Sequence, residues 1–191
     1  MPEGKIIKAL SGFYYVADDD QIIQCRGRGV FRKQKITPLV GDAVIYQAEN
    51  PTDGYIMEIK ERRNELVRPP IANVDQAILV FSAAEPDFST SLLDRFLVLV
   101  ESKDINPIIC ISKMDLLRSD DSKSIEEYAE QYRAIGYDVI LTSSMEESGV
   151  TDLLPYLRGK TSVFAGQSGV GKSSLLNVID PTLNLKTNMI S

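Results

Sequence analysis

The chain has 191 residues, of which 43% are apolar, 25% charged and 7% aromatic, with 21 Lys and Arg against 27 Asp and Glu. These are the values of a folded chain of one large or two small domains; they exclude wholesale disorder, and the net charge of −6 excludes bulk polyanion binding. The absence of histidine excludes Ser-His-Asp and Cys-His catalysis and any His-containing metal site, while Cys25 and Cys110, with no CxxC pair, cannot build a four-ligand zinc site and suit a reducing cytoplasm.

The first third of the chain predicts strands. Short alternating runs at Lys5–Leu10, Phe13–Ala17, Gln21–Gly27, Ala43–Glu49 and Tyr55–Lys60 are separated by Gly12, Asp18-Asp19-Asp20, Gly41-Asp42 and Asp53-Gly54. Gly and Asp tolerate the backbone angles that turns demand. Five strands in so short a segment predict a small all-β barrel of the OB type over 1–68. Pro69-Pro70 stiffens the join over Glu65–Ile71. The charge balance shifts there: residues 1–68 carry 11 basic and 10 acidic side chains, residues 69–191 carry 10 and 17.

From 69 to 191 strand-like and helical runs alternate. Ala77–Phe81 reads as a buried strand, and Ser91-x-x-Asp94 opens a helix containing Leu93, Phe96, Leu97 and Val100. Pro107–Ile111 is a second strand, and Ser124-x-x-Glu127 is a capping-box start for a helix through Tyr128, Tyr132 and Ile135 that stops at Gly136. Val139–Thr142 is a third strand. Val150, Leu153, Leu154 and Leu157 share one helical face, and Thr161–Ala165 is a fourth strand. This alternation predicts an α/β domain, a mostly parallel sheet with helices on both faces. No apolar run approaches the ~18 residues of a membrane span, and MPEGKIIKAL has no signal-peptide core, so a cytoplasmic chain without membrane contact is expected.

Residues 166–173 read GQSGVGKS, a full match to G-x-x-x-x-G-K-[ST] between the strand SVFA and the helical run SLLNVI. That strand–loop–helix setting is what the motif requires. Gly166, Gln167, Ser168, Gly169, Val170 and Gly171 can wrap phosphates with backbone N–H groups, aided by the positive end of the following helix. Lys172 reaches the β- and γ-phosphates, the Ser173 hydroxyl ligates Mg²⁺, and Ser174 continues the first helical turn. Lys172 and Ser173 are the candidate catalytic groups. A glycine-rich turn with an incidental lysine is the bland alternative.

Ser112-Lys113-Met114-Asp115 ends the second strand, where ligands bind in open α/β sheets. It resembles the [NT]KxD base-reading motif of GTPases. Asp115 then accepts hydrogen bonds from guanine N1–H and the 2-amino group, a pair of donors that adenine lacks. The stem of Lys113 lies along the base. Thr142-Ser143-Ser144 resembles a third base loop, in which a backbone N–H meets guanine O6. A strand-end turn with surface charges is the alternative for both.

In ordinary Ras-like GTPases the phosphate loop precedes the base motifs. Here Asp115 comes first. That order, with a barrel-like N-terminal region, IANVDQAILVFSA at 71–83, SKMD, TSS and GQSGVGKSSLLN, resembles the bacterial circularly permuted GTPases of the YjeQ/RsgA type. The resemblance spans essentially the whole chain. It implies an OB-fold that contacts ribosomal RNA, a P-loop domain that binds GTP or GDP with Mg²⁺ and hydrolyses GTP, and a role in late maturation of the small ribosomal subunit as a monomer. It also implies a switch threonine, a DxxG motif and a zinc-binding C-terminal domain. No DxxG follows Ser173, Thr182 and Thr187 do not match the switch motif, and the zinc ligands are absent, so a C-terminally truncated chain is expected. Ser112 stands where many relatives have Asn, a residue that would cross-link the base and phosphate loops, and a reduced guanine affinity is expected.

Arg26, Arg28, Arg32, Lys33 and Lys35 lie in a ten-residue stretch without an acid and with Phe31 among them. An RNA-backbone contact with stacking by Phe31 is one reading, and a solvated hairpin with Phe31 in the core is the other. Tyr14, Tyr15, Tyr46 and Tyr55 are expected to pack within the strands. Two alternatives to the GTPase remain open: a P-loop ATPase or kinase of another class, and an RNA- or nucleotide-binding module without turnover.

Overall fold

A computed structural model describes residues 1–143, 145, 146 and 148–180. Two compact units divide at Val74/Asp75. In the first, β1 (Glu3–Leu10), β2 (Phe13–Asp18), β3 (Gln21–Gly27), β4 (Ala43–Ala48) and β5 (Gly54–Ile59) close into a barrel in the order β1-β2-β3-β5-β4. Only the β3–β5 pair is parallel. Ile6, Val16, Ile23, Cys25, Val44, Tyr46 and Ile56 point inward and form its core. The alternation read from the sequence is therefore the inside-outside alternation of a half-buried strand.

The basic stretch is not a hairpin. Between β3 and β4 the chain forms α1 (Gly29–Lys33), and its Phe31 is only 7% exposed, packed into the barrel core. The stacking role expected of Phe31 is thus overturned, because the ring is needed to close the barrel. Arg26, Arg28, Arg32, Lys33 and Lys35 are all exposed.

The first unit also runs beyond position 68. β6 (Glu65–Leu66) and β7 (Ile71–Ala72) pair antiparallel, and Ile71 bridges to Val40. Gly41 has φ +94, and a Cβ there would lie 1.9 Å from the Ala72 carbonyl oxygen, so only glycine admits this approach. Arg62 pins the same segment. Its Nε and Nη2 donate to the fully buried Asp42 carboxylate at 2.8 and 2.9 Å, and Nη2 also donates to the Thr37 carbonyl.

The second unit carries β8 (Gln76–Ser82), α2 (Thr90–Ser102), β9 (Asn106–Ser112), α3 (Ser119–Ile135), β10 (Asp138–Leu141), α4 (Val150–Leu157), β11 (Ser162–Ala165) and α5 (Lys172–Ile179). Its four strands are all parallel, in the order β10-β9-β8-β11. Every residue of β8 is buried, which explains its unbroken apolar run. Ile78, Val80, Ile108, Cys110 and Ile140 pack on Val150 and Leu153 of α4 and Leu175 of α5. On the opposite face Phe81 meets Phe96 of α2 edge-on, and the Tyr132 hydroxyl of α3 donates to Asp94 at 2.7 Å.

Three helices differ in detail from expectation. Ser89, not Ser91, caps α2 by accepting from the Leu92 N–H. α3 begins at Ser119, so Ser124 lies inside it; Asp120 and Asp121 in the first turn favour the positive helix end. Its buried stripe is Ile125, Ala129 and Tyr132, while Tyr128 and Ile135 are exposed. In α4, Leu154 is exposed and the stripe is Val150, Leu153 and Leu157. Among the described residues no helix is long and apolar enough to cross a membrane.

Candidate functional site

The carboxyl ends of β11, β8, β9 and β10 bring the candidate loops side by side. Gly166 leaves β11 with φ +150, and a Cβ there would lie 2.1 Å from the Val80 carbonyl oxygen of β8. The phosphate-loop candidate is thus pressed against the neighbouring strand, and glycine is required for it. Gly169 and Gly171 also have positive φ, and Gly171 is the N-cap of α5. The loop therefore delivers its last residues straight into a helix start, with Lys172, Ser173 and Ser174 in the first turn.

Lys172 folds over the loop. Its Nζ donates to the carbonyls of Gly166 at 2.8 Å and Gln167 at 2.6 Å. Burial lowers its pKa below the usual lysine value. Gln167 and Ser168 are exposed, and Val170 is buried in the sheet–helix core.

Ser112 sits at the end of β9, 5% exposed, and its hydroxyl donates to the Val170 carbonyl at 2.5 Å. The base-reading candidate is tied directly to the phosphate loop. This corrects the expectation that serine forgoes the cross-link available to asparagine: β8, β9 and β11 bring the two loops close enough for a one-carbon side chain to span them. Lys113 follows with φ +59, its Cε 3.9 Å from the position of a Gly171 Cβ, and its Nζ donates to the Glu85 carbonyl at 2.5 Å. Met114–Leu116 forms a single 3₁₀ turn that carries Asp115.

Asp115 Oδ1 accepts from the Ser143 hydroxyl at 2.5 Å. Met114 N–H donates to the Thr142 carbonyl at 3.2 Å. These bonds join the turn after β9 to the loop after β10. The Ser143 N–H is already engaged with the Ser148 carbonyl at 3.0 Å. Ser143 thus presents its side chain to Asp115 and its N–H to Ser148. Ser144 lies outside the described residues, as do Thr182 and Thr187.

The segment after β8 contributes a residue that spacing did not reveal. Glu85 offers its carbonyl to Lys113, and Phe88 packs on Phe81 and Tyr128. A backbone carbonyl carries no residue-type signal, so only the folded chain exposes this contact.

Among the described residues no group of three His, Cys, Asp or Glu could hold a metal. Ser173, a single hydroxyl beside a phosphate loop, suits Mg²⁺, which takes few protein ligands and completes its shell with phosphate oxygens and water. Zinc does not fit: Cys25 and Cys110 are buried in separate cores.

A family model described as RsgA N-terminal domain matches residues 3–56, and one described as RsgA GTPase matches residues 59–191. Small ribosomal subunit biogenesis GTPase RsgA of Bacillus subtilis (strain 168) is 69% identical over 196 aligned residues. The protein of the same name from Geobacillus sp. (strain WCH70) is 69% identical over 191. Both alignments cover 100% of this chain, which spans 66% and 65% of the two relatives. The solved structure of YloQ, described as a circularly permuted GTPase, matches with a TM-score of 0.84 and 69% identity over 95% of this chain and 65% of that one. YjeQ from Thermotoga maritima matches with a TM-score of 0.89 and 40% identity over 98% of this chain and 68% of that one. With a closed barrel, a parallel sheet in which the strand ending at Ser112 precedes the strand that leads into GQSGVGKS, and both family models met in chain order, the chain belongs to the RsgA GTPase family.

Proposed function

We propose that the full-length protein binds and hydrolyses GTP in the maturation of the small ribosomal subunit, in the cytoplasm and as a monomer. The second unit holds the nucleotide, and the first contacts ribosomal RNA through Arg26, Arg28, Arg32, Lys33 and Lys35. The observation that carries this reading is the bond from the Ser112 hydroxyl to the Val170 carbonyl. It joins a base-reading turn to a phosphate loop that lies far downstream, as a single nucleotide site requires.

The roles follow from chemistry. Backbone N–H groups from Gly166 to Gly171 and the first turn of α5 face the phosphates. Lys172 exchanges its two carbonyl acceptors for β- and γ-phosphate oxygens, which bear full charge and bind an ammonium more strongly. Ser173 would hold Mg²⁺, which supplies neutralisation of phosphate charge when bound. Preorganised N–H groups and Lys172 stabilise the charge that builds on the γ-phosphate oxygens during attack by water, and the fixed loop holds that phosphate in line. Asp115, held by Ser143, accepts from guanine N1–H and the 2-amino group. Adenine would leave the carboxylate facing no donor. The stem of Lys113 flanks the base.

Calorimetric titration of the chain with GDP and with ADP, both with Mg²⁺, tests this reading. Binding of GDP and none of ADP is expected. Equal binding of the two would instead fit a P-loop ATPase or kinase of another class. Absence of both would leave the barrel as the functional part.

A further inference from the structure

The barrel's outer wall holds a pattern that shares Arg26 alone with the basic stretch and nothing with the nucleotide site. Tyr14 and Tyr46 pack with the core, as expected for strand packing, but Tyr15 and Tyr55 point outward. Two rungs of outward residues cross the sheet. In one, Lys8 of β1 pairs with Tyr15 of β2, which pairs with Gln24 of β3. In the other, Phe13 of β2 pairs with Arg26 of β3, which pairs with Tyr55 of β5.

Each rung stacks a cation on a ring. Lys8 Nζ lies 5.2 Å from the Tyr15 ring centroid, and the Arg26 guanidinium lies 5.2 Å from that of Phe13. Tyr55 is 44% exposed, and Lys8 and Arg26 are exposed. No residue of either rung is acidic. Phe13 and Tyr15 are two positions apart on one strand face, about 7 Å along it, so each can hold a separate base.

We propose that this outer face of β1, β2, β3 and β5 is a stacking platform for unpaired RNA bases, built by Phe13, Tyr15 and Tyr55 with Lys8 and Arg26. The inference rests on the reading of the barrel as the RNA contact and specifies single-stranded RNA as its ligand. Rings and a guanidinium plane offer flat surfaces to bases, and the same two cations reach the flanking phosphates. A duplex keeps its bases stacked inside and has none to offer. An apolar protein partner would leave Lys8 and Arg26 buried without a counter-charge, which is costly.

The test uses the 191-residue chain and fluorescence anisotropy with labelled oligouridine of about 12 nucleotides, against an RNA duplex of similar length. The parent is expected to prefer the single strand. Tyr15→Leu and Tyr55→Leu should each weaken it about tenfold with the salt dependence unchanged, and Tyr15→Phe and Tyr55→Phe should bind like the parent. Arg26→Gln, at an exposed position, should weaken it without removing a ring and should flatten the salt dependence. Parent-like affinity in both Leu variants, or equal parental affinity for duplex and single strand, would overturn the platform while leaving the barrel an RNA contact. A parent that binds neither RNA would overturn both readings.

Discussion

Replacing Ser112 by alanine removes the hydroxyl that ties the candidate base-reading turn to the candidate phosphate loop. The side chain is 5% exposed and its acceptor belongs to Val170, itself 1% exposed. Water cannot readily replace the lost donor, so the cost is that of depriving a buried carbonyl, about 1–3 kcal/mol. The substitution removes a single oxygen atom, so little of this is a packing defect. Part of the loss falls on the fold. A thermal midpoint lower by roughly 2–8 °C is expected for a loss of 1–2 kcal/mol in a unit of this size. The remainder falls on binding, because nucleotide must then order two loops that the hydroxyl had already joined. At about 1.4 kcal/mol per tenfold, a remainder of about 1–2 kcal/mol should lower GDP affinity about fivefold to thirtyfold. Calorimetric titration with GDP and Mg²⁺, alongside thermal unfolding, measures both parts. A variant whose melting and GDP affinity both match the parent would refute the tie. Lowered melting with parental affinity would show that the bond serves the fold alone.

Asp115→Asn keeps an oxygen for the Ser143 hydroxyl and so should fold like the parent. It should lose at least tenfold in GDP affinity, from about 1.5–3 kcal/mol for a hydrogen bond to a charged group, and gain affinity for xanthosine diphosphate; unchanged GDP binding in a competition assay would contradict the assignment. Phe31→Ala removes a core ring and should cost about 3–5 kcal/mol by chemical denaturation, whereas an exposed stacking residue would leave stability unchanged. Arg62→Ala leaves the buried Asp42 carboxylate without its ion pair and should cost about 3–5 kcal/mol in the same assay. Burial pushes both the Cys25 and the Cys110 thiol up to about 11 from an ordinary value of 9.0. Folding therefore gains from both neutral thiols below the unfolded value, and that gain is lost as pH rises from 9.0 towards about 11. A thiol reagent at about pH 8 should leave both unmodified until the chain unfolds, and rapid labelling of the native protein would show the burial to be wrong.

Much of the architecture could be read from local patterns. Alternation over Phe13–Asp18 or Gln21–Gly27 reports a wall with one wet face, and the unbroken apolar run of β8 reports a strand covered on both sides. The phosphate loop was legible because its chemistry demands glycines, a lysine and a hydroxyl at fixed spacing within eight consecutive residues. Helix starts were less legible. A Ser followed by an acid three residues on occurs at both Ser91 and Ser124, yet Ser89 and the Ser119 turn begin the helices, because packing against the sheet chooses the register.

Sequence by itself determined the fold class, a barrel followed by a parallel-sheet domain, and the order of the nucleotide-binding motifs along the chain, since strand alternation, buried apolar runs and motif spacing are all local patterns. Tertiary structure decided which groups meet. Ser112 reaches Val170 only because β8 lies between β9 and β11, and Lys113 reaches Glu85 only because the segment after β8 folds beside it. The barrel followed the same rule: beside its arginines Phe31 could be read as a stacking ring or a core ring, the core takes it in, and the rings left facing water are those that strand register turned outward. Whether a side chain is buried is decided by the closing of a sheet over many residues, and no short stretch of sequence records that closure.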